Sequence, residues 1–240
     1  MSLLAVDRLA KRFGGLQAVR DLSFEVADGE IVSLIGPNGA GKTTVFGMIS
    51  GFLTPDAGDI RFRGRSIIGL APHRTCALGI VRTFQIMRPF PRLTVLRNVV
   101  IGALGRRADP GQAHTRALDV LARVGLAARR DQPAGSLTLA DRKRLELARA
   151  LATEPALLLL DEVMSGLTAT ETERMVELIR AINAGGVTIL LIEHVMRAVM
   201  SLSQRIIVLN YGERIAAGSP EAVARDPRVI EAYLGESEER

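Results

Sequence analysis

Residues 36 to 44 read GPNGAGKTT and directly follow the apolar run IVSLI (31–35). Gly36, Gly41, Lys42 and Thr43 satisfy the spacing G-x-x-x-x-G-K-[ST], the pattern of a loop that wraps phosphate. The chemistry needs these residue types. Glycines let successive backbone N–H groups turn inward, and a helix starting at Lys42 adds the partial positive charge of its N-terminus. Lys42 then reaches the β- and γ-phosphates of a nucleotide, and the Thr43 hydroxyl takes a Mg²⁺ ion. Pro37, Asn38, Gly39, Ala40 and Thr44 complete the loop against the nucleotide. With glycine at roughly 7% of an average chain, on the order of 0.01 such matches arise by chance in a chain this long. The alternative, a tight strand-to-helix turn with no ligand, is set aside on that ground.

LLLLDE (157–162) is an apolar run ending in two carboxylates. A strand that ends beside the phosphate loop puts Asp161 where it orients Mg²⁺, and Glu162 where it activates water as a general base. Alone, such a run is as often a plain strand end; its pairing with the phosphate loop selects the metal-and-base reading. His194 follows another apolar run, TILLIE (188–193), and reads either as a γ-phosphate contact or as a cap at a strand end. Gln85, after GIVRTF (79–84), carries no more than that by itself.

These residues need a frame. Alternating apolar positions in LSFEV (22–26) predict a half-buried strand, Asp28-Gly29 a turn, and IVSLI a buried strand. A helix is predicted from Lys42 to about Ser50. Gly51 and Pro55 interrupt, and strand-like pieces follow at IRFRG (60–64) and GIVRTF. From Leu93 to Leu151 the apolar spacing becomes three and four, in TVLRNVVIGAL, RALDVLARVGL and RLELARAL, which predicts an inserted helical segment. ALLLL (156–160), VTILLI (187–192) and RIIVL (205–209) return to strands, separated by helix-like stretches at 168–182 and 194–200. Strands alternating with helices of this length point to a parallel sheet in an α/β core. The chain has no internal repeat, and its polar tail, GESEER (235–240), reads as a mobile end.

A hydrophobic share of 48% over 240 residues supports one domain with a sizeable core. Asp7 interrupts any signal-like apolar region, and no apolar run approaches the roughly 18 residues of a membrane span. A lone cysteine, Cys76, excludes an internal disulfide, so the expectation is a cytoplasmic globular protein. The formal charge of +5 leaves nucleic acid, anionic lipid or nucleotide open as partners, beside a solvated arginine-rich surface. With no Trp, two Tyr and seven Phe, the chain lacks the stacking platforms of a single-strand nucleic-acid binder.

Taken in order, the phosphate loop, Gln85, the helical segment, LTLADRKRLELARAL (137–151), LLLLDE and His194 resemble the ATP-binding cassette of ABC transporters over essentially the whole chain. In that family these are Walker A, the Q-loop, the signature, Walker B and the switch histidine. RTFQIMRPFPRLTVLRNV (82–99), LIEHVMRAVM (191–200) and GSPEAVARDPRVIEAYLGE (218–236) look more narrowly like the ATPase subunits of branched-chain amino-acid importers. The resemblance implies an α/β P-loop cassette of a single domain, residues 1–240, with an N-terminal antiparallel β lobe and an inserted helical subdomain from about 86 to 150. It implies that Phe13 stacks on adenine, that Gln85 joins Glu162 and His194 in catalysis and Thr43 and Asp161 at Mg²⁺, and that two cassettes pair head to tail, each trapping ATP against the other's signature.

The family's usual signature is L-S-G-G-Q, and Leu137-Thr138-Leu139-Ala140-Asp141 stands in its place. Thr138 keeps a hydroxyl and Ala140 a backbone N–H for a partner's nucleotide. Leu139 replaces a glycine, and Asp141 brings a negative charge that repels a triphosphate if its carboxylate points there. Arg142, Lys143 and Arg144 either offset that charge or form a solvated helix face. SGLT (165–168) replaces the usual S-A-L-D, putting Thr168 where the family has an Asp that couples the two sites. These departures lead to the expectation of unequal ATP sites and of a heterodimer in preference to a homodimer.

The resemblance further implies two permease subunits in the inner membrane, a periplasmic solute-binding protein, attachment at the cytoplasmic face and no nucleic-acid partner. Arg88, Pro89 and Phe90 lie where such cassettes receive a permease helix, Phe90 being either that contact or packing within the helical lobe. The alternatives are a lipopolysaccharide-export ATPase and a soluble regulatory cassette with little turnover; a cassette acting on DNA or ribosomes fits less well with one compact unit.

Overall fold

The computed structural model describes residues 2–84, 89–105 and 109–234. Gln85, Arg88 and the GESEER tail lie outside the described residues. In chain order, β1 (Ser2–Phe13) and β2 (Leu16–Ala27) precede β3 (Ile31–Ile35), α1 (Lys42–Ile49), β4 (Ala57–Phe62), β5 (Arg65–Ser66), α2 (Pro72–Leu78) and β6 (Ile80–Arg82). Three helices follow: α3 (Val95–Leu104), α4 (Pro110–Arg123) and α5 (Leu139–Leu151). The chain then alternates β7 (Leu157–Asp161), α6 (Ala169–Ala184), β8 (Thr188–Ile192), α7 (Met196–Leu202) and β9 (Arg205–Asn210). Beyond lie β10 (Glu213–Gly218), α8 (Pro220–Ala224) and α9 (Pro227–Leu234).

The central sheet has the order β10-β9-β3-β8-β7-β6, parallel from β9 to β6, with β10 antiparallel at its edge. Every residue of β3, β7 and β8 is buried, because both faces of the sheet are covered. The two-residue period of a strand divides them between layers. Leu157 and Leu159 pack with Phe46 of α1 and with Leu4 and Phe24 of a second sheet. Leu158 and Leu160 pack on the opposite face with Leu145 of α5 and Ile179 of α6. The second sheet, β2-β1-β4-β5, is antiparallel.

The sequence reading leaves β1 unassigned. Its register on β2 shifts between Val6 and Leu9, and Arg8 takes a positive φ of 45°, so the apolar alternation that marks a strand is broken midway. The strand around LSFEV runs on to Leu16–Ala27, and GIVRTF contributes only Ile80–Arg82 as strand. The short α2, β10, α8 and α9 are not separately anticipated; none carries a continuous apolar run like those that mark β3, β7 and β8.

Parallel alignment brings the carboxyl ends of β3, β7 and β8 to one edge of the sheet. The phosphate loop, Asp161-Glu162 and Glu193-His194 leave the sheet there, the position at which open α/β sheets present their ligand sites.

Candidate functional site

The phosphate loop is held by backbone packing that only glycine permits. A Cβ on Gly36 would stand 2.0 Å from the Leu209 carbonyl oxygen, and one on Gly41 2.3 Å from that of Ala18. Gly41 also carries a φ of 100° as it enters α1. The Gly212 N–H donates to the Ala40 carbonyl at 3.2 Å, fixing the loop against the turn between β9 and β10. Lys42 is buried and its Nζ donates to the carbonyls of Gly36 and Pro37 at 2.6 and 2.7 Å, curled into its own loop. Thr43 is exposed at the start of α1, whose first N–H groups have no intrahelical acceptor.

A cleft of about 280 Å³ is lined by Phe13, Asn38 to Thr44, Glu162 and His194, with Leu16 and Ala18 beside them. Phe13 is half exposed, with Lys11 Nζ 5.6 Å from its ring centre. Gly36 and Pro37 form the buried base of the loop. The structure therefore brings together residues from β1, the phosphate loop, the end of β7 and the end of β8.

Glu162 sits just past β7 with a φ of 51°, a conformation rare for a residue with a side chain. Three contacts hold it there. Its N–H donates to the Ile192 carbonyl at 2.9 Å, its carbonyl accepts from Lys143 Nζ at 3.0 Å, and its Oε1 lies 2.8 Å from His194 Nε2. Behind this pair, Glu193 is buried and accepts the Met164 N–H at 2.8 Å. Burial pushes its carboxyl up to about 7, against the opposing pull of the Met164 and His194 N–H groups and the Lys143 charge. Burial likewise lowers the Lys143 ammonium, despite Glu193, Glu146 and Glu162 nearby.

Asp161 is buried below the cleft and does not line it. Arg82 Nη2 meets its Oδ2 at 2.7 Å. Sequence reasoning passed over Arg82, Glu193 and the core role of Lys143. The available signal was a charge set directly at the end of an apolar run, in GIVR and TILLIE, or inside an amphipathic helix.

Thr138 and Ala140 stand at the start of α5 and do not line this cleft. The Asp141 carboxylate turns back onto its own chain: it accepts from Thr138 Oγ1 at 3.0 Å, pairs with Arg129 at 3.0 Å and has Arg144 at 3.7 Å. Of the basic run, only Arg144 faces Asp141; Arg142 Nε donates to the Leu137 carbonyl, and Lys143 is buried against Glu162. Neither sequence reading of the run, counter-charge or solvated face, covers all three. Thr168 caps α6 in a reciprocal box with Glu171. Phe90 exposes its ring, while its backbone N–H and carbonyl are both taken by the buried Asn98 side chain. Pro89 beside it is partly buried.

The two side chains expected at the metal, Thr43 and Asp161, offer oxygen donors, which suits Mg²⁺ bound partly by protein and mostly by phosphate and water, although Asp161 is paired with Arg82. Among the described residues no group of three or more His, Cys, Asp or Glu side chains stands together as a metal cluster. The loop backbone, Lys42 and the N-terminus of α1 suit a polyphosphate. Among the described residues no helix is long and apolar enough to cross a membrane.

The family model for ABC transporters matches residues 19–165, and that for branched-chain amino acid ATP-binding cassette transporters matches residues 213–239. The high-affinity branched-chain amino acid transport ATP-binding protein LivG of Salmonella typhimurium is 45% identical over 98% of both chains. The lipopolysaccharide export system ATP-binding protein LptB of Acidithiobacillus ferridurans is 36% identical over 98% of this chain and 97% of its own. Among solved structures, the ADP conformation of an ATP-binding cassette of an ABC transporter superposes with a TM-score of 0.90 at 31% identity, covering 98% of this chain and 99% of the other.

Proposed function

The chain belongs to the ABC transporter family of ATP-binding cassettes, and from that premise we propose that it is the ATP-hydrolysing subunit of a membrane importer of the branched-chain amino-acid type. The observation that carries the reading is the convergence of Lys42, Thr43, Glu162 and His194 on one cleft, with Glu162 and His194 in contact at 2.8 Å. The 45% identity to LivG along the whole chain supports the transport class.

ATP lies with its adenine on Phe13 and its phosphates in the loop formed by Gly36, Pro37, Asn38, Gly39, Ala40, Gly41, Lys42, Thr43 and Thr44. Lys42 exchanges its two loop carbonyls for phosphate oxygens. Thr43 and Asp161, with Gln85, would hold Mg²⁺, which when bound neutralises charge on the β- and γ-phosphate oxygens. Glu162 takes a proton from the attacking water, and His194, fixed by Glu162, contacts the γ-phosphate.

A second cassette closes over this ATP with its own signature, while Thr138 and Ala140 serve the partner's nucleotide. The Thr138 hydroxyl and the Asp141 carboxylate are committed to each other in this chain, which supports a slower opposite site and hence a heterodimer. Phe90 meets the permease, and the complex sits at the cytoplasmic face of the inner membrane, fed by a periplasmic binding protein. Gentle extraction of the tagged chain from its native membranes tests this. Two permeases and a second cassette should co-purify; lipopolysaccharide-export subunits in their place would support the second reading, which the 36% identity to LptB keeps in play.

A further inference from the structure

Arg82 occupies a position that the proposed reaction does not use. It ends β6, its side chain is 10% exposed, and its Nη2 lies 2.7 Å from Oδ2 of an Asp161 side chain exposed by only 3%. Its guanidinium also lies 5.8 Å from the ring centre of Phe46 and 5.4 Å from that of Phe84. Phe46 is one turn of α1 beyond Lys42 and Thr43, so this cation stands beneath the phosphate loop while Asp161 leads directly into Glu162 at the cleft. Among the described residues Arg82 Nε has no hydrogen-bond partner. A buried arginine with a donor unused among the described residues is poorly accounted for as a structural ion pair alone, because burying two charges is repaid only when their hydrogen bonds are completed.

We propose that Arg82 is a positioning residue for the phosphate site: its guanidinium holds and neutralises Asp161 when no divalent cation does, so that a polyphosphate enters the cleft without meeting a bare carboxylate. Arg82 lowers the charge cost of metal-free nucleotide and yields Asp161 when Mg²⁺ arrives. The inference rests on the nucleotide-binding reading of the cleft. At the separations across a phosphate site, removal of one partly screened charge changes affinity by about tenfold or more.

The test is equilibrium binding of a fluorescent methylanthraniloyl-ATP to the full chain, in EDTA and in excess MgCl₂. Arg82→Met, which keeps the apolar contact with the two rings, is expected to weaken binding in EDTA about tenfold while changing binding in Mg²⁺ by less than about threefold. Asp161→Asn leaves Arg82 uncompensated and is expected to tighten binding in EDTA by a similar factor. The double variant should return to the wild-type value in EDTA. If Arg82→Met does not fold, the Asp161→Asn arm decides alone. Equal weakening by Arg82→Met in both buffers, or no tightening by Asp161→Asn in EDTA, overturns the assignment of Arg82. Failure of the wild-type chain to bind the probe even in Mg²⁺ overturns the nucleotide reading, and this inference with it.

Discussion

His194 Nε2 lies 2.8 Å from Glu162 Oε1, and the Glu162 N–H donates to the carbonyl of Ile192, so the ends of β7 and β8 are joined by side chain and main chain together. Two neighbouring strand ends are thereby held at one cleft wall in a fixed relation. Glu162→Gln preserves that shape and removes the base. Its expected effect is a fall of about 10²–10⁴-fold in ATP turnover by the assembled transporter, with ATP binding retained. A turnover rate near wild type would assign the main hydrolytic site to the other cassette.

Two of the three glycines of the phosphate loop differ in what they meet. Gly41→Ala forces a Cβ against the Ala18 carbonyl at 2.3 Å as well as an unfavourable φ, whereas Gly39→Ala has the unfavourable φ alone, with no atom within 4 Å. Urea denaturation is expected to show Gly39→Ala costing about 1 kcal/mol and Gly41→Ala clearly more. Equal losses would mean that the loop moves aside freely at Gly41.

Glu193 gives the fold a pH dependence of defined sign. Its folded-state carboxyl is raised from 4.5 to about 7, so the folded protein holds a proton that the unfolded chain releases. The stabilisation is full below about pH 4.5 and is lost as pH rises through about 7, amounting to about 3 kcal/mol at one unit per 1.36 kcal/mol. Denaturation curves at pH 5 and pH 8 should show wild type losing more stability across this range than Glu193→Gln. Parallel losses in the two proteins would remove Glu193 as the source.

Asp141→Gln restores the residue type usual in the family and breaks the pairs with Arg129 and Arg144. The helical lobe is expected to lose about 1–3 kcal/mol, discounted from a fully buried pair because Arg129 is 43% exposed. In the assembled transporter the same change frees Thr138 and should raise turnover measured with Glu162→Gln in place, the background in which only the opposite site works. No rise there would show that Asp141 does not limit that site.

Much of the candidate site, as a set of residues that meet at one cleft, was legible before any fold was seen. GPNGAGKTT and LLLLDE announce themselves because phosphate binding needs backbone freedom, a cation and a helix start in one short stretch, and because a buried strand ending in two carboxylates is chemically conspicuous. Arg82 and Glu193 were not legible, although each directly follows the same kind of apolar run. A single charge at a strand end has many uses, and only its neighbours across the sheet reveal which one applies. Lys143 stood within a basic triplet whose members share no environment: one is buried at Glu162, one holds the Leu137 carbonyl and one faces Asp141.

The sequence by itself determined the composition of the parallel core, the glycine-rich loop between β3 and α1 and the presence of a carboxylate pair and a histidine at strand ends, because these follow from local periodicity and from residue chemistry within a few positions. Tertiary structure alone decided which charges meet. Asp161 finds Arg82 from β6, Asp141 finds Arg129 from the connection between α4 and α5, and Glu162 finds both Lys143 from α5 and His194 from the end of β8. The reason is physical: a buried charge must be satisfied by whatever the packing brings within about 3 Å, and strand order, which sets those neighbours, is not written in any local stretch of the chain.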